Sequence, residues 1–215
     1  MKHIMLTGLA LLSLTALTID SCIFPQNDCF KEYAFEINYN CSPQQDTFRI
    51  GDTLWIESLI ESKLINQLDN SLVDMSDIEY KIYGDIHRYN EEVTSPPEYD
   101  FNYVNKNGAV SISNIGPYAA LELSYESEVH NDRRLRVGFV PQVAGLYRVI
   151  FYYLTEDYTS IQGIIEKGCS ENITFIYTMN NNESDNNYHL LEGYPEIATS
   201  EGFREGGGYA FWVIE

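Results

Sequence analysis

Cysteine is the residue type in this chain whose spacing bears most directly on chemistry. The four cysteines, Cys22, Cys29, Cys41 and Cys169, could form disulfides, carry a lipid or bind a metal ion. A structural zinc site usually draws on closely spaced pairs such as C-x-x-C, together with histidines. No two cysteines of this chain are that close and its four histidines are scattered, so the sequence predicts no metal site.

Two pairings are open for the cysteines that follow Cys22. Residues 34–39, AFEINY, alternate apolar and polar side chains and predict a strand. A chain extended from Cys29 to Cys41 would separate its ends by roughly 35–40 Å, whereas a disulfide needs Cα atoms within about 7 Å. Cys169 precedes a second predicted strand, NITFIYT, and parallel neighbouring strands would bring Cys29 and Cys169 together. We therefore predict a Cys29–Cys169 disulfide, with Cys41–Cys169 as the alternative.

The N-terminus, residues 1–21, has the pattern of a secretory signal peptide. Its apolar run, 4–19, would span roughly 24 Å as a helix, short of the ~30 Å hydrocarbon core of a bilayer. The end of this segment, LTIDSC, resembles the lipobox of bacterial lipoproteins, with Ile19, Ser21 and then Cys22. The resemblance implies that Cys22 is acylated and anchors the mature chain to a membrane. The competing interpretation is ordinary signal cleavage nearby, with Cys22 as a disulfide partner.

The composition indicates one acidic globular domain. The chain has 215 residues, a hydrophobic fraction of 44% and a charged fraction of 21%, which is enough for one buried core and unlike a disordered chain. Its formal net charge of −19 repels phosphate backbones, so nucleic-acid binding is disfavoured. The acids are spread singly and in pairs, as on a solvated surface.

Short alternating segments separated by Gly, Pro and Asn turns predict an all-β fold. We expect an immunoglobulin-like or fibronectin-like antiparallel β-sandwich over residues 33–215, after the signal peptide and a tether over 22–32. The spacing of Pro141, Gly145 and Tyr147 resembles the strand entry of such sandwiches, where a tyrosine corner hydrogen-bonds back to the chain. Tyr147 is the residue expected in that role.

Three other segments carry specific expectations. Residues 63–77, KLINQLDNSLVDMSD, are interpreted as a short helix followed by a loop, and their acids lack the spacing of a calcium loop. Residues 105–108, NKNG, contain the Asn-Gly pair favoured in hairpin turns, so we expect two short strands about that turn. The glycine-rich EGGGY at 205–209 precedes a strand rather than a helix, which favours a turn or bulge over a phosphate-binding loop.

No established catalytic motif is present. The sequence lacks GxSxG, HExxH, a Walker loop and a GxGxxG followed by an acid at the proper distance. We therefore predict no enzyme activity, no catalytic residues and no cofactor, while the 32 acidic residues leave a carboxylate pair for glycoside hydrolysis as an alternative. The 17 tyrosines, among them Tyr89, Tyr152, Tyr153 and Tyr158, are better explained as core and loop-covered positions than as a sugar-stacking strip.

Four segments together resemble Bacteroidetes-type lipoproteins of no assigned activity: the lipobox, DTFRIGDTLWIES (46–58), the pattern at 141–147 and the closing GGGYAFWVIE (206–215). This resemblance implies a lipid-anchored protein of the outer membrane and no catalytic residues. The tripeptide DTL matches the O-glycosylation pattern of that phylum, which implies Thr53 as a candidate site; a simple turn residue is the alternative. Surface-exported members carry acids just after the lipidated cysteine, whereas Ile23 and Phe24 follow Cys22 here. The periplasmic face and the cell surface therefore both remain as expected locations.

These observations favour a non-catalytic, lipid-anchored cell-envelope protein that serves as a binding or structural module for an unidentified ligand. The alternative is a glycan-binding accessory lipoprotein of a polysaccharide uptake system, which would need an exposed aromatic patch. The expected partners are the membrane, through the N-terminal lipid, and a glycan or protein ligand.

Overall fold

The computed structural model describes residues 29–78, 80–89, 95–115, 118–152, 161–162, 165–166, 169–182, 185–194 and 200–215. The predicted signal peptide and Cys22 lie outside the described residues, as do Tyr153 and Tyr158.

Fifteen strands make up most of the described chain, because alternating apolar and polar side chains suit sheets with one buried face. They are β1 Phe30–Ser42, β2 Thr47–Arg49, β3 Leu54–Ile60, β4 Lys63–Ile65, β5 Leu72–Asp74, β6 Lys81–Tyr89, β7 Phe101–Asn107, β8 Ala109–Ile115, β9 Tyr118–Ser124, β10 Glu126–Ser127, β11 Arg133–Pro141, β12 Gly145–Tyr152, β13 Ile161–Gln162, β14 Ser170–Met179 and β15 Tyr209–Ile214. The described helical segments are the 3₁₀ turns Pro97–Asp100, Val129–Asn131, Asn180–Asn182 and Tyr188–Leu191, and the α-helix Ser200–Glu205.

Two sheets form the β-sandwich that the sequence predicts. The seven-stranded sheet has the order β10-β11-β3-β1-β14-β13, with β7 also paired to β11. The six-stranded sheet has the order β2-β15-β12-β6-β9-β8, and β4 and β5 form a separate hairpin. Most neighbouring strands are antiparallel, but β1 pairs in parallel with β14, and β15 pairs in parallel with β2.

The first strand begins three residues before the predicted domain boundary at residue 33. Phe30 is already opposite Ser170 in the parallel β1–β14 ladder, which continues to Tyr39 and Met179. The predicted tether over 22–32 therefore overlaps the start of β1. The reason is that β14 extends far enough to supply backbone partners for these residues.

The core lies between the two sheets and is unusually aromatic. Its largest fully buried side chains include Tyr39, Tyr147 and Tyr209, together with several phenylalanines. Their rings contact one another across the sandwich: Tyr39 and Phe151 stack with centroids 4.4 Å apart. The high tyrosine content thus serves packing at several positions, because an aromatic ring buries a large apolar area.

The interpretation of residues 63–77 as a helix followed by a loop is wrong. Strands β4 and β5 form a hairpin there, in which Ile65 is opposite Leu72. Asn70 has a φ of 60° and donates its N–H to the Asn66 carbonyl at 2.8 Å, which closes the turn. Apolar residues of this segment fit a helical spacing as well as a strand spacing, and long-range bonds to β1 decide between them: the Ala34 N–H donates to Asn66 Oδ1 at 2.9 Å.

The two short strands expected about NKNG at 105–108 are present as β7 and β8, and Gly108 adopts the left-handed conformation with a φ of 69°. Their pairing as a hairpin is wrong. On one side of Gly108, β7 pairs with β11 of the seven-stranded sheet; on the other, β8 pairs with β9 of the six-stranded sheet. A Cβ at Gly108 would collide with the Ser124 carbonyl oxygen. The Asn-Gly pair therefore turns a corner between sheets rather than a hairpin within one.

The outer surface of the six-stranded sheet is partly covered by the chain that follows β14. A second hydrophobic cluster holds Tyr89 and Leu146 of the sheet against Leu191 and Phe203 of the two short helical segments, with Ala210 beneath. The explanation proposed for the aromatic strand β12 is that one face packs in the core and a loop covers the other. This cluster covers part of the outer face in that way.

Candidate functional site

The exposed face of the seven-stranded sheet carries an aromatic ring on a flat support. Trp55 of β3 is directly opposite Gly138 of β11. A Cβ at position 138 would lie 3.2 Å from Trp55 Cζ3 and 2.7 Å from Thr53 Cγ2, so the indole lies over the glycine where any other residue would push it away. Such an aromatic ring across from a strand glycine is a packing arrangement that also fixes the ring in place.

Charged groups also contact this indole. The Arg136 guanidinium carbon lies 5.1 Å from the centroid of the Trp55 ring, a cation–π contact. Arg136 Nε also lies 3.3 Å from Glu57 Oε1. Both charged side chains are about half exposed, at 48% and 40%, so they are accessible to a ligand while keeping each other oriented.

Strand register extends these contacts into two parallel rows. The polar row is Asn40, Glu57, Arg136 and Asn107, one residue from each of β1, β3, β11 and β7. The second row lies at the next outward-facing position of each strand and consists of Ser42, Trp55, Gly138 and Val104. We call it the apolar row after Trp55 and Val104. Four strands about 4.8 Å apart give each row a length of about 14 Å. The rows thus place hydrogen-bonding groups beside an aromatic surface over the length of several small rings.

A shallow depression lies along the polar row. Its volume is about 170 Å³ and its lining includes Asn40, Glu57, Asn107, Arg134 and Arg136. This volume is below the range of about 300–1,000 Å³ that encloses a drug-sized molecule. The depression suits an elongated ligand that lies across the sheet and puts one ring or substituent into it.

The side chains of this face can recognise polyhydroxylated rings. Amide, carboxylate and guanidinium groups offer donors and acceptors in fixed planar arrangements, and the indole offers a π face. We did not single out Arg136, Glu57 or Asn40 from the sequence. The signal for Trp55 is present there, because it alternates with the core residues Leu54 and Ile56 and must face outward.

Thr53, the candidate O-glycosylation site, is half-buried just before β3. Its methyl group faces Gly138 on the same outer face as Trp55. Nothing in the geometry bears on whether the hydroxyl is modified, and the site stays a prediction.

Cys29 and Cys169 form a disulfide with Cα atoms 4.5 Å apart, at the start of the two parallel strands where the sequence predicts it. The alternative partner, Cys41, is a free thiol that is buried against Met179 with Sγ and Sδ 3.2 Å apart. Burial raises the pKa of the Cys41 thiol well above its ordinary value. Among the described residues, the one group of three metal-ligand atoms within reach of one another is these two bridged cysteines with Glu166, and bridged sulfurs are not thiolate ligands.

Tyr147 occupies the corner position expected for it. Its hydroxyl lies 3.1 Å from the Val143 carbonyl oxygen, four residues upstream, and 3.0 Å from Asp100 Oδ2. Asp100 in turn pairs with Arg88 at 2.9 Å, and both side chains are almost fully buried. The structure therefore adds a buried ion pair to the tyrosine corner, and the sequence gives no local indication of it because Arg88 and Asp100 lie on different elements.

Glu98 is a second buried acid near this ion pair, on the 3₁₀ turn Pro97–Asp100, and it is 2% exposed. The Ile86 N–H lies 3.4 Å from its Oε1, so the carboxyl covers the edge of β6 beyond the end of β9. Burial raises the pKa of the Glu98 carboxyl above its ordinary value of 4.5. Glu98 and Asp100 are thus enclosed by protein and serve the fold, without the open cleft that an acid–base pair requires.

We expect Glu98→Gln to flatten the pH dependence of stability. A carboxyl with a raised pKa contributes stability that is complete below its unfolded pKa and is lost as pH rises through the folded pKa. The variant keeps an acceptor for the Ile86 N–H. Its free energy of unfolding should therefore rise relative to that of the wild type from about pH 4.5 upward. Urea unfolding between about pH 4 and about pH 7 measures this difference. Glu61→Gln, on an exposed residue, controls for the loss of one charge. A gain for Glu98→Gln that is constant across this range would contradict the expectation.

Of the four tyrosines considered for a sugar-stacking strip, the side chain of Tyr89 is the one that lies within the described residues. Tyr89 is buried within the second hydrophobic cluster and contacts Tyr194 at 4.9 Å between centroids. His87 lies against Tyr89 at 4.4 Å. Tyr153 and Tyr158 lie outside the described residues, and so does the side chain of Tyr152.

Comparison with known proteins gives no family. No protein-family model and no curated protein matches the chain. Among solved structures, a human F-spondin reeler domain is 13% identical with a TM-score of 0.30, covering 72% of this chain and 93% of that one. A non-cellulosomal cohesin from the hyperthermophilic archaeon Archaeoglobus fulgidus is 8% identical with a TM-score of 0.26, covering 84% of this chain and 92% of that one. Neither likeness supports an argument about function. In the part of the chain that the structure describes, no helix is long and apolar enough to cross a membrane.

Proposed function

We propose that the protein is a non-catalytic, lipid-anchored protein of the outer membrane that binds a glycan on the outer face of its seven-stranded sheet. The polar and apolar rows form the binding surface, and Cys22 carries the lipid. The chain would act on the periplasmic face or at the cell surface as an accessory to polysaccharide capture.

One observation carries the choice of a glycan: the indole of Trp55 is fixed over Gly138 and bordered by Arg136 and Glu57. A sugar ring has an apolar face of C–H groups and an edge of hydroxyls, so it needs an aromatic plane and planar hydrogen-bonding groups side by side. A protein ligand would usually demand a larger apolar patch at the centre of the interface. Here the polar row borders a single large ring.

The non-catalytic assignment is supported by the environment of the acids. Glu98, a carboxyl whose pKa burial raises, is enclosed by protein. On the outer face, Glu57 is tied to Arg136 at 3.3 Å, which suits binding rather than proton transfer. The anchoring part of the proposal is supported by the lipobox-like LTIDSC ahead of the domain.

We expect Trp55→Ala to weaken glycan binding by about tenfold or more, since stacking on the indole is lost. A glycan array of neutral and acidic polysaccharides identifies the ligand, and calorimetric titration with that ligand measures the affinity. Because Trp55 also covers Gly138, unfolding in urea must show that the variant is folded at the temperature of the titration.

Arg136→Gln tests the same site with less risk to the fold, and it should also weaken binding. Its matched control is Arg148→Gln, which breaks the comparable 3.4 Å contact with Asp85 on the other sheet and should leave affinity unchanged. Equal affinities for the wild type and both Trp55→Ala and Arg136→Gln would remove the glycan site from this face, as would an array without any bound glycan.

A further inference from the structure

The β4–β5 hairpin presents apolar side chains to solvent at one end of the sandwich. Ile65 and Leu72 are opposite each other across the hairpin, and they are 53% and 64% exposed. Leu68, in the turn between them, is 60% exposed. Three large aliphatic residues exposed on one hairpin are unusual for a soluble surface and are typical of a contact site.

A fourth exposed apolar residue extends this patch towards the N-terminus. Phe30, the first residue of β1, is 59% exposed. The hairpin docks beside it: the Gln67 N–H donates to the Ala34 carbonyl at 2.8 Å, and Leu72 lines the same cavity as Lys31. Phe30, Ile65, Leu68 and Leu72, here called the end patch, therefore share the end of the domain at which β1 begins.

The short segment from Cys22 to Cys29 limits the distance between the end patch and the proposed membrane anchor. Cys22 precedes Cys29 by seven residues, and seven extended residues reach at most about 25 Å. If Cys22 carries the lipid, the end of the domain that holds Phe30 stays within that distance of the bilayer. The opposite end, where β1 finishes at Ser42, is farther away by the length of the sandwich.

The charges around the end patch determine which kind of lipid surface it fits. Glu32, Asp69 and Asp74 line the cavity beside the hairpin with Lys31, so the rim is mostly acidic. Acidic groups repel an anionic lipid surface and keep the hairpin from sinking past its apolar side chains. The patch therefore fits the boundary region of a bilayer rich in zwitterionic lipid, where apolar side chains enter and the charges remain in water.

We propose that the end patch inserts into the leaflet that holds the lipid anchor and orients the domain upright on its lipid. This inference rests on the proposed acylation of Cys22. A single flexible lipid tether leaves orientation free, whereas a second apolar contact next to the tether fixes which end faces the membrane. The outer-face rows then project sideways from the bilayer, accessible to a polymer.

The test uses the full lipidated chain reconstituted into phosphatidylethanolamine-rich vesicles, with an environment-sensitive fluorophore on Leu68→Cys. The introduced thiol is readily labelled, because Cys29 and Cys169 are bridged and Cys41 is buried. Spin labels on the acyl chains should quench most of the fluorescence at position 68. The matched control is Gln44→Cys, an exposed residue beyond the other end of β1, which should lose almost none.

Each outcome separates the anchor from the patch. Vesicles that carry the protein but leave the Leu68 probe unquenched would overturn the patch while leaving acylation in place. Protein that fails to float with the vesicles, together with an unmodified Cys22 by mass spectrometry, would overturn both. Shielding of the Leu68 probe without lipid, growing with protein concentration, would identify a second copy of the chain as the occupant and overturn the bilayer assignment. Weaker quenching in vesicles rich in phosphatidylglycerol would support the role of the acidic rim.

Discussion

Replacing Cys29 and Cys169 together by serine is expected to lower the free energy of unfolding by about 5 kcal/mol. The bridge joins residues 140 positions apart, so it removes a very large loop from the conformations of the unfolded chain. Its entropic effect grows with loop length, and a loss of this size is comparable to the whole stability of many domains. Equilibrium unfolding in urea, followed by tryptophan fluorescence, measures the change.

Two comparisons keep this expectation testable if the double variant does not fold. The wild-type chain treated with a reductant should show the same drop without any substitution. Cys41→Ala removes a thiol that is outside the bridge and should cost far less, since only a small side chain is shortened. An unfolding midpoint that is the same with and without reductant would show that the bridge contributes nothing.

Asp100→Asn should destabilise the protein by about 3–5 kcal/mol, because it removes the carboxylate charge that lies 2.9 Å from Arg88 in a nearly dry environment. The same substitution weakens the contact with the Tyr147 hydroxyl at 3.0 Å. The loss would appear in urea unfolding near neutral pH.

A double-mutant cycle separates the ion pair from simple packing damage. Arg88→Met removes the other charge, and the two substitutions combined should cost clearly less than the sum of the single effects. Tyr147→Phe tests the third member and should cost about 1–2 kcal/mol. Strict additivity of Asp100→Asn and Arg88→Met would mean that the pair does not act as a unit.

The sandwich was predictable because its signal is local. In β1, Phe35, Ile37 and Tyr39 alternate with polar residues, and the same alternation recurs in β3, β11 and β14. The buried face of each strand is therefore predicted by the sequence of that strand alone. The Cys29–Cys169 pairing followed from strand order, since both cysteines stand at the start of alternating segments. The sandwich needed no knowledge of distant contacts, whereas the disulfide needed the assumption that these two segments are parallel neighbours.

The two wrong predictions share a different cause. The spacing of Leu64, Leu68 and Leu72 suits one face of a helix, but bonds from Asn66 and Gln67 to Ala34 hold the segment as a hairpin. At Gly108 the local conformation was as expected, yet turn propensity does not specify to which sheet the following strand belongs. In both cases a partner far along the chain decides the outcome.

The candidate site was only partly accessible to sequence reasoning. Alternation shows that Trp55 and Glu57 face outward on β3 and that Arg136 does so on β11. That these residues align across four strands depends on register, which a single sequence does not reveal. The tyrosines of strand β12 are the stronger aromatic signal in the sequence, but the outer face of this strand is partly covered by the second hydrophobic cluster.

The position of the Cys29–Cys169 bridge also determines how the domain bears a mechanical load. A pull on the chain ahead of Cys29 passes through the bridge into β14 as well as β1, so two neighbouring strands share it from the first residue. Those strands run parallel, with partners from Phe30 and Ser170 to Tyr39 and Met179. Because the bridge ties their loaded ends together, β1 cannot slide past β14 there, and the ladder between them carries the pull as one unit instead of opening bond by bond. A domain held by its N-terminus and pulled by a bound polymer would resist unfolding along this direction better than along any that peels an edge strand.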